Sequence, residues 1–259
     1  MRILMLGDVV GKPGRLALRE HLPPLISRCG ADFTVVNGEN ASGGIGLTGE
    51  GFSALAAAGA DVVTSGNHIW KHKEIYAVLG REERLIRPAN YPAGAPGNGL
   101  TVRQSADGHK IAVINLLGRT FMEAVDCPFQ CAETLLASLP DDVVIRLLDF
   151  HAEATSEKKA MGWYLDGRIT VLGGTHTHVQ TNDAQILPQG TAYMTDLGMC
   201  GVESSVLGMD HACIVEKMVT RLPRRFVPAK GRGGLNGLLT ELDPATGKAV
   251  QVEIIRIEP

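Results

Sequence analysis

Two histidines stand one residue apart in the segment Gly173–His178, which reads GGTHTH and follows the apolar run ITVL. Imidazole nitrogens bind transition metals and exchange protons near neutral pH. A lone histidine is more often a surface loop residue, and a second explanation places the pair on alternate faces of a strand. Gly173 and Gly174 argue against the strand, because they end the apolar run before the histidines begin. We therefore expect His176 and His178 in a loop just past a strand.

Chemically capable side chains also follow four other apolar runs. They are Asp8 after RILML, Glu39 and Asn40 after TVVN, Asn67 and His68 after DVVTSG, and His151 after VVIRLLDF. In open α/β sheets, ligands bind at the carboxyl ends of the strands. One such residue alone is an ordinary turn residue or helix cap. Five strand ends together predict a single site.

These side chains offer nitrogen and oxygen donors without a thiolate. Such a set suits iron, manganese, zinc or cobalt better than calcium or a structural zinc of the cysteine type. The candidates outnumber the ligands of one tetrahedral shell, and a carboxylate shared by two metals would account for the excess. A pair of neighbouring metals is the usual arrangement for phosphoester chemistry.

The elements that must position these residues alternate between strand and helix, which predicts parallel strands with helical crossovers. In the first half we expect strands at 2–6, 32–37 and 61–66 and helices at 14–29, 48–59 and 70–80, the first helix interrupted by Pro23-Pro24. Later strands are expected at 110–117, 143–150, 168–174 and 191–196, helices near 128–138, 155–165 and 209–222, and a hairpin over 237–258 that turns near Pro244–Gly247. With no repeat or linker, residues 1–259 are expected to form a single α/β domain with a mixed, two-sheet core.

Bulk composition excludes several classes of protein. The chain has 259 residues, a net charge of −3 and a hydrophobic fraction of 44%, which is typical of a globular protein without a strong nucleic-acid surface. No stretch approaches a membrane span, and the N-terminus reads as a strand because it lacks the features of a signal peptide. Five scattered cysteines predict reduced thiols and a cytoplasmic location. The oligomeric state stays open, a homo-oligomer included.

The motifs resemble those of the calcineurin-like metallophosphoesterases. The resemblance rests on GD (7–8), GEN (38–40), GNH (66–68), the strand-end His151 and GTHTH (174–178). The segments DFHAEATSEK (149–158), GTHTHVQTND (174–183) and TDLGM (195–199) resemble more narrowly the YmdB-like branch. The resemblance covers nearly the whole chain. It implies a four-layer α/β/β/α sandwich of two mixed sheets and a dinuclear metal centre that hydrolyses phosphodiesters, with cyclic nucleotides the reported class.

The same resemblance implies a role for each site residue. Asp8 and His178 would hold one metal, Asn67, His151 and His176 the other, Glu39 would bridge them, Asn40 would lie beside the first metal, and His68 would be the acid near the leaving group. Two positions depart from the wider superfamily: Val9-Val10 follow Asp8 where the usual motif is Asp-x-His, and Glu39 replaces an aspartate. Asn40 or water would then complete the first site. Iron is the metal associated with the narrower branch, and manganese and zinc are the alternatives.

Several other polar residues are weaker candidates. GIGLTG (44–49) matches a dinucleotide-binding pattern, but no acid follows about 20 residues later, so we expect 41–49 to be a flexible loop beside the metals and a candidate for holding phosphate. His72 is expected to be a solvated helix residue, and His21, His109 and His211 to be ordinary structural histidines. Asp196 either orients a histidine ligand or is a turn acid, and the role of Glu153 stays open.

These features favour a metal-dependent phosphodiesterase that acts on small phosphodiesters, with 2′,3′- or 3′,5′-cyclic nucleotides first among them. In the expected mechanism a hydroxide between the metals attacks phosphorus in line, and His68 protonates the leaving alkoxide. Three alternatives stay open. They are a phosphomonoesterase with the same centre, a nucleotide-binding oxidoreductase that uses nicotinamide without metal, and a regulatory nucleotide-binding protein with low turnover.

Overall fold

The chain folds into two six-stranded sheets and six α-helices, and the computed structural model describes all of residues 1–259. The helices are α1 Gly11–Cys29, α2 Gly49–Ala57, α3 Ile75–Leu79, α4 Pro128–Ser138, α5 Thr155–Leu165 and α6 His211–Thr220. The first sheet contains β1 Arg2–Val9, β2 Phe33–Asn37, β3 Val62–Thr64, β10 Met199–Cys200, β11 Leu235–Asp243 and β12 Lys248–Ile257. The second sheet contains β4 Leu100–Gln104, β5 Lys110–Leu117, β6 Ile145–His151, β7 Val171–Thr175, β8 Gln185–Ile186 and β9 Ala192–Met194.

Alternation along β1 explains how the layers stack, because successive side chains of a strand point to opposite faces. Ile3 and Met5 pack in a buried cluster with side chains of the second sheet, such as Val113. Leu4 and Leu6 point the other way and pack with residues of α1 and α2. A third buried cluster lies between the second sheet and helices α4 and α5. The layers therefore run helix, sheet, sheet, helix, which confirms the predicted sandwich.

Parallel strands at the centre of each sheet bring their carboxyl ends together. The first sheet has the order β12-β11-β1-β2-β3, with β10 beside β1, and β1, β2 and β3 run parallel. The second has the order β4-β5-β6-β7-β9-β8, with β5, β6, β7 and β9 parallel. Asn37 at the end of β2 donates a hydrogen bond to Asp149 near the end of β6. The carboxyl ends of both sheets thus meet at one edge of the sandwich.

Helix α1 runs without interruption through Pro23-Pro24, contrary to the sequence prediction. The two prolines cannot donate to the carbonyls of Arg19 and Glu20, one turn earlier. These four residues are exposed, so water can hydrate the free carbonyls. On the opposite face Leu22 and its neighbouring leucines are buried in the core, and this packing outweighs the lost helix bonds.

Strand β7, Val171–Thr175, includes Gly173 and Gly174, as does the strand predicted at 168–174; it begins three residues later and ends one residue later than predicted. A side chain at Gly174 would collide with the carbonyl oxygen of Thr195, which explains a glycine inside a strand. The two histidines still follow the strand. The edge strand β4 is absent from the sequence prediction; it is only five residues long, and none of its residues is buried.

The other predicted elements are mostly confirmed, with shorter bounds at several ends. Helices α4 and α5 have the predicted limits, and β11 and β12 form the predicted hairpin. The helix expected at 70–80 is instead a 3-10 turn, Ile69–Lys71, followed by α3. The five cysteines are all free thiols. None of the helices is both long enough and apolar enough to cross a membrane.

Candidate metal centre

Five strand ends bring all eight predicted site residues to one place between the sheets. Asp8 lies near the end of β1, Glu39 and Asn40 follow β2, Asn67 and His68 follow β3, His151 ends β6, and His176 and His178 follow β7. Four of the eight are buried and the other four are half-buried. The first sheet contributes five of these residues and the second sheet three, so the cluster belongs to both sheets.

One group of donor atoms comes from Asp8, Glu39 and His178, whose ligand atoms all lie within 4.8 Å of one another. Nε2 of His178 is 3.9 Å from Oδ1 of Asp8. It is also 3.2 Å from Nδ2 of Asn40. Two carboxylates and an imidazole in this arrangement form a partial shell for a transition metal.

A second group comes from Glu39, His151 and His176, again with ligand atoms within 4.8 Å of one another. Nε2 of His151 lies 3.3 Å from Oε2 of Glu39, 3.0 Å from Nδ1 of His176 and 3.1 Å from Oδ1 of Asn67. Glu39 is the one residue common to both groups. Its carboxylate is therefore placed to be shared by two cations.

A buried hydrogen-bond chain orients the ring of His151. Its Nδ1 lies 2.8 Å from Oγ1 of Thr175, and that hydroxyl donates to Oδ1 of Asp149 over 2.6 Å. The other oxygen of Asp149 accepts from Asn37 and Thr64. Because the hydroxyl donates to the carboxylate, it accepts from Nδ1, which leaves Nε2 of a neutral His151 bare toward the cluster. Asp149 and Thr175 are absent from the sequence prediction, although a carboxylate inside the apolar strand LLDF is a readable signal.

The rings of His176 and His178 are oriented in the same way by partners outside the cluster. Nε2 of His176 lies 3.1 Å from Oε2 of Glu153, which gives Glu153 the contact that its sequence position left open. Nδ1 of His178 lies 3.0 Å from the carbonyl oxygen of Leu207, a partner that no sequence pattern indicated. Each neutral ring therefore donates its proton outward and turns its other nitrogen toward the donor groups, as metal-binding histidines do.

Burial and mutual charge shift the pKa values of these groups. Burial raises the pKa of Asp8 to about 6 and lowers that of His176 to about 3. Burial alone would also raise the pKa of Glu39, but the charge of His151 and hydrogen bonds from His151 and His68 outweigh it and hold the pKa well below its usual value. Burial opposes charge on His151, yet the Glu39 carboxylate raises its pKa to about 9. The cluster thus keeps Glu39 ionised and pairs it with a proton on His151 that a cation would replace.

Two further observations fit a bound cation. Oδ1 of Asp8 is buried and accepts no hydrogen bond, while its Oδ2 accepts from the backbone N–H of His176 at 3.0 Å. An unpartnered buried carboxylate oxygen is costly unless a positive charge compensates it. Gly66 keeps the centre open, because a Cβ there would come closer than 3.0 Å to Oε2 of Glu39 and Nε2 of His151. The residues present therefore suit metal ions.

His68 belongs to neither donor group but contacts the residue that they share. Its backbone N–H donates to Oε2 of Glu39 at 3.1 Å. Nδ1 of its ring lies 3.0 Å from Oε1 of Glu39 and 2.9 Å from Oδ1 of Asn40. The hydrogen bond with Glu39 raises the pKa of His68. Its side chain is 38% exposed, whereas that of Glu39 is fully buried. Asn40 turns Nδ2 toward His178, so coordination by its oxygen would require the amide to turn over.

His72 is not the solvated helix residue that the sequence pattern predicts. It follows the 3-10 turn in an extended conformation, and its Nε2 is buried without a hydrogen-bond partner. The prediction is wrong because the helix at 70–80 is not continuous. The loop 41–49 is anchored across its base by Ser42, whose hydroxyl lies 2.9 Å from that of Thr48. Neither donor group contains His21, His109 or His211.

Comparison with known proteins gives relatives that match over nearly the full length. A family model described as YmdB-like protein matches residues 4–255. A protein of Bacillus subtilis (strain 168), named 2′,3′-cyclic-nucleotide 2′-phosphodiesterase, is 49% identical over 257 residues, which are 99% of this chain and 97% of that protein.

Two solved structures have the same fold. A hypothetical protein from Thermus thermophilus superimposes with a TM-score of 0.94 and 39% identity over 100% of both chains. A structure described as a novel phosphatase from Mycoplasma pneumoniae has a TM-score of 0.93 and 36% identity, covering 99% of this chain and 93% of that one. These matches confirm the resemblance that the motifs indicate.

Proposed function

This chain belongs to the family of YmdB-like proteins, and on that premise we propose that it is a metal-dependent phosphodiesterase that hydrolyses small cyclic nucleotides. Nucleotides with a 2′,3′-cyclic phosphate are the first substrates to consider, because the relative that is 49% identical bears that activity in its name. The observation that carries the proposal is the position of Glu39, whose carboxylate belongs to both donor groups. A carboxylate so placed can be shared by two adjacent metal ions, the arrangement that many enzymes of phosphoester chemistry use.

The proposal assigns the ligands to two ions. Asp8 and His178 hold one ion, Asn67, His151 and His176 hold the other, Glu39 is shared, and Asn40 lies beside the first. Three oriented imidazoles and the unpartnered oxygen of Asp8 support this assignment. Nitrogen and oxygen donors suit iron, manganese or zinc, and iron is the first candidate.

Bound metal ions at such a centre supply positive charge to phosphate oxygens and lower the pKa of water. The chain itself holds the ligand rings in place and supplies a proton to the leaving oxygen. His68 is the residue for that proton. Its Nδ1 donates toward oxygens of Glu39 and Asn40, and the hydrogen bond with Glu39 raises its pKa, which favours the imidazolium form. The proton on Nε2 of that imidazolium is the one available to a substrate. An imidazole so placed acts as a general acid toward an alkoxide.

A phosphomonoesterase with the same centre is the second candidate, because the similar Mycoplasma pneumoniae structure is described as a phosphatase. The two candidates differ in the ester class that is hydrolysed faster. Nothing in the ligand set separates them, since both reactions use the same charge neutralisation at phosphate oxygens.

Metal-stripped protein should be reconstituted with iron or manganese and assayed on 2′,3′-cyclic AMP, 3′,5′-cyclic AMP and 5′-AMP. We expect the highest kcat/KM on 2′,3′-cyclic AMP, loss of activity with a chelator, and recovery on adding metal. A higher kcat/KM on 5′-AMP would establish the phosphomonoesterase instead. Full activity in the stripped protein would overturn the role of metal.

A further inference from the structure

Lys158 of α5 and Asp196 form an ion pair that is buried beneath the loop carrying His176 and His178. Nζ of Lys158 lies 2.7 Å from Oδ2 of Asp196, and each side chain is 1% exposed. Desolvation of two charges offsets most of their attraction, so apolar residues of similar size are often no less stable there. Stability of the fold alone therefore does not account for this pair, and neither residue belongs to a donor group.

Asp196 also holds Thr177, the residue between the two histidines. Oδ2 of Asp196 accepts from the backbone N–H of Thr177 at 3.1 Å and from its hydroxyl at 2.7 Å. Oδ1 accepts from the N–H of Gly198 at 2.8 Å. Asp196 is thus fixed by Lys158 on one side and by backbone on the other, and two hydrogen bonds tie Thr177 to it. From the sequence, Asp196 either orients a histidine ligand or is a turn acid, and in the structure it makes no hydrogen bond with an imidazole.

The two histidines have backbone conformations that residues other than glycine seldom adopt. The φ angle is 99° at His176 and 66° at His178. Such residues are strained and persist only where the surrounding structure imposes the conformation. The hydrogen bonds from Thr177 to Asp196 lie between the two strained positions, so a single anchor acts on both.

We propose that Lys158, Asp196 and Thr177 form a positioning unit that sets the imidazoles of His176 and His178 for both metal ions at once. The inference rests on the proposed metal centre and adds three residues that touch no metal. The hydrogen bonds between Thr177 and Asp196 keep the imidazoles of the flanking histidines directed into separate donor groups. Lys158 compensates the charge of the buried Asp196 carboxylate that accepts these bonds. Loss of the unit weakens both ions, whereas loss of one imidazole weakens mainly one.

Thr177→Val and Thr177→Ser are a matched pair for testing the unit. Valine keeps the shape of threonine without the hydroxyl, and serine keeps the hydroxyl. Thr177 is half-buried, so both variants should fold. We expect Thr177→Val to lower the affinity for both ions by roughly 10–100-fold, as loss of a partner that orients ligands does, and Thr177→Ser to restore it. Affinities are measured by competition with a chelator, beside the melting temperature of the metal-free protein.

Asp196→Asn, measured in the same assay, tests whether the negative charge of the Asp196 carboxylate is needed. It should lower both affinities, and the double variant with Thr177→Val should lose less than the product of the single effects, because both act through the same bond. Unchanged metal affinities in Thr177→Val would overturn the positioning unit. Equal losses of affinity in the valine and serine variants, together with a lower melting temperature, would also overturn it, because they would show that Thr177 acts through packing and not through its hydroxyl. His178→Ala separates the two proposals, because it should weaken one ion. If it weakens neither, the metal centre itself is wrong.

Discussion

Nε2 of His151 lies 3.3 Å from Oε2 of Glu39, and neither side chain has any exposed surface. The contact joins the two sheets, because Glu39 follows a strand of the first and His151 ends a strand of the second. Glu39 also lies in the other donor group, beside Asp8 and His178. A change at this one carboxylate should therefore alter metal binding in both donor groups.

Glu39→Gln is expected to weaken binding of both metal ions. Glutamine keeps the size of the side chain but replaces one anionic oxygen with an amide nitrogen, which cannot bind a metal. His178→Ala is the matched comparison, since His178 belongs to one donor group and its loss should weaken mainly one ion. Titration of each stripped variant with manganese, read by calorimetry, measures both affinities. Two ions bound by Glu39→Gln with wild-type affinity would show that Glu39 is not shared.

Two transition-metal ions per chain are expected at saturation. The donor atoms form two groups around Glu39, and two-metal phosphoester chemistry requires both to be filled. Elemental analysis after reconstitution with manganese or iron and removal of free metal gives the ratio. Ligands that bind only the folded state stabilise it, so the melting temperature should rise with loading. A ratio that stops at one ion per chain contradicts the dinuclear centre.

Gly66→Ala should disable the centre although it replaces none of the proposed ligand residues. The added methyl group would overlap Oε2 of Glu39 and Nε2 of His151, so at least one of them must move. Displacements of about 1 Å at a reacting centre can lower kcat/KM by about 10²-fold, and we expect a loss of that order with weaker metal binding. Gly94→Ala is the control, because a Cβ there meets nothing within 4 Å. Equal activity of the two variants would show that the space beside Gly66 is not used.

The strand-end residues could be predicted from the sequence because each follows an apolar run that sequence patterning identifies. Asp8, Glu39 and His151 needed only the rule that parallel strands share their carboxyl ends. The partners that orient the rings could not be found in this way. Leu207 reaches His178 through a backbone carbonyl, which every residue possesses, so no side-chain pattern marks it.

Packing between distant segments explains the other differences between sequence and structure. Pro23-Pro24 lie within α1 because buried leucines hold the helix on its inner face, and local propensity takes no account of such contacts. Gly174, by contrast, lies in a strand as predicted, and only the reason for a glycine there, the close backbone of Thr195, comes from the structure. The continuous helix and this close approach both depend on which segments meet in the fold, and a single sequence does not contain that information.

His68→Ala should keep the metal ions but lose much of the turnover on substrates with a poor leaving group. His68 contacts Glu39 and Asn40 through Nδ1 but belongs to neither donor group. Its raised pKa favours the imidazolium form, whose Nε2–H can give its proton to the leaving oxygen. General acid catalysis of this kind contributes roughly 10²–10⁴-fold in rate.

The loss should depend on the leaving group, because a nitrophenolate departs readily without a proton and a ribose alkoxide does not. We expect His68→Ala to be far more impaired on 2′,3′-cyclic AMP than on bis(p-nitrophenyl) phosphate. Both rates are measured on preparations of known metal content, with His109→Ala as a control from outside the donor groups. Equal losses on the two substrates would mean that His68 binds phosphate and does not act as the acid. Loss of metal from the variant would instead make His68 a ligand.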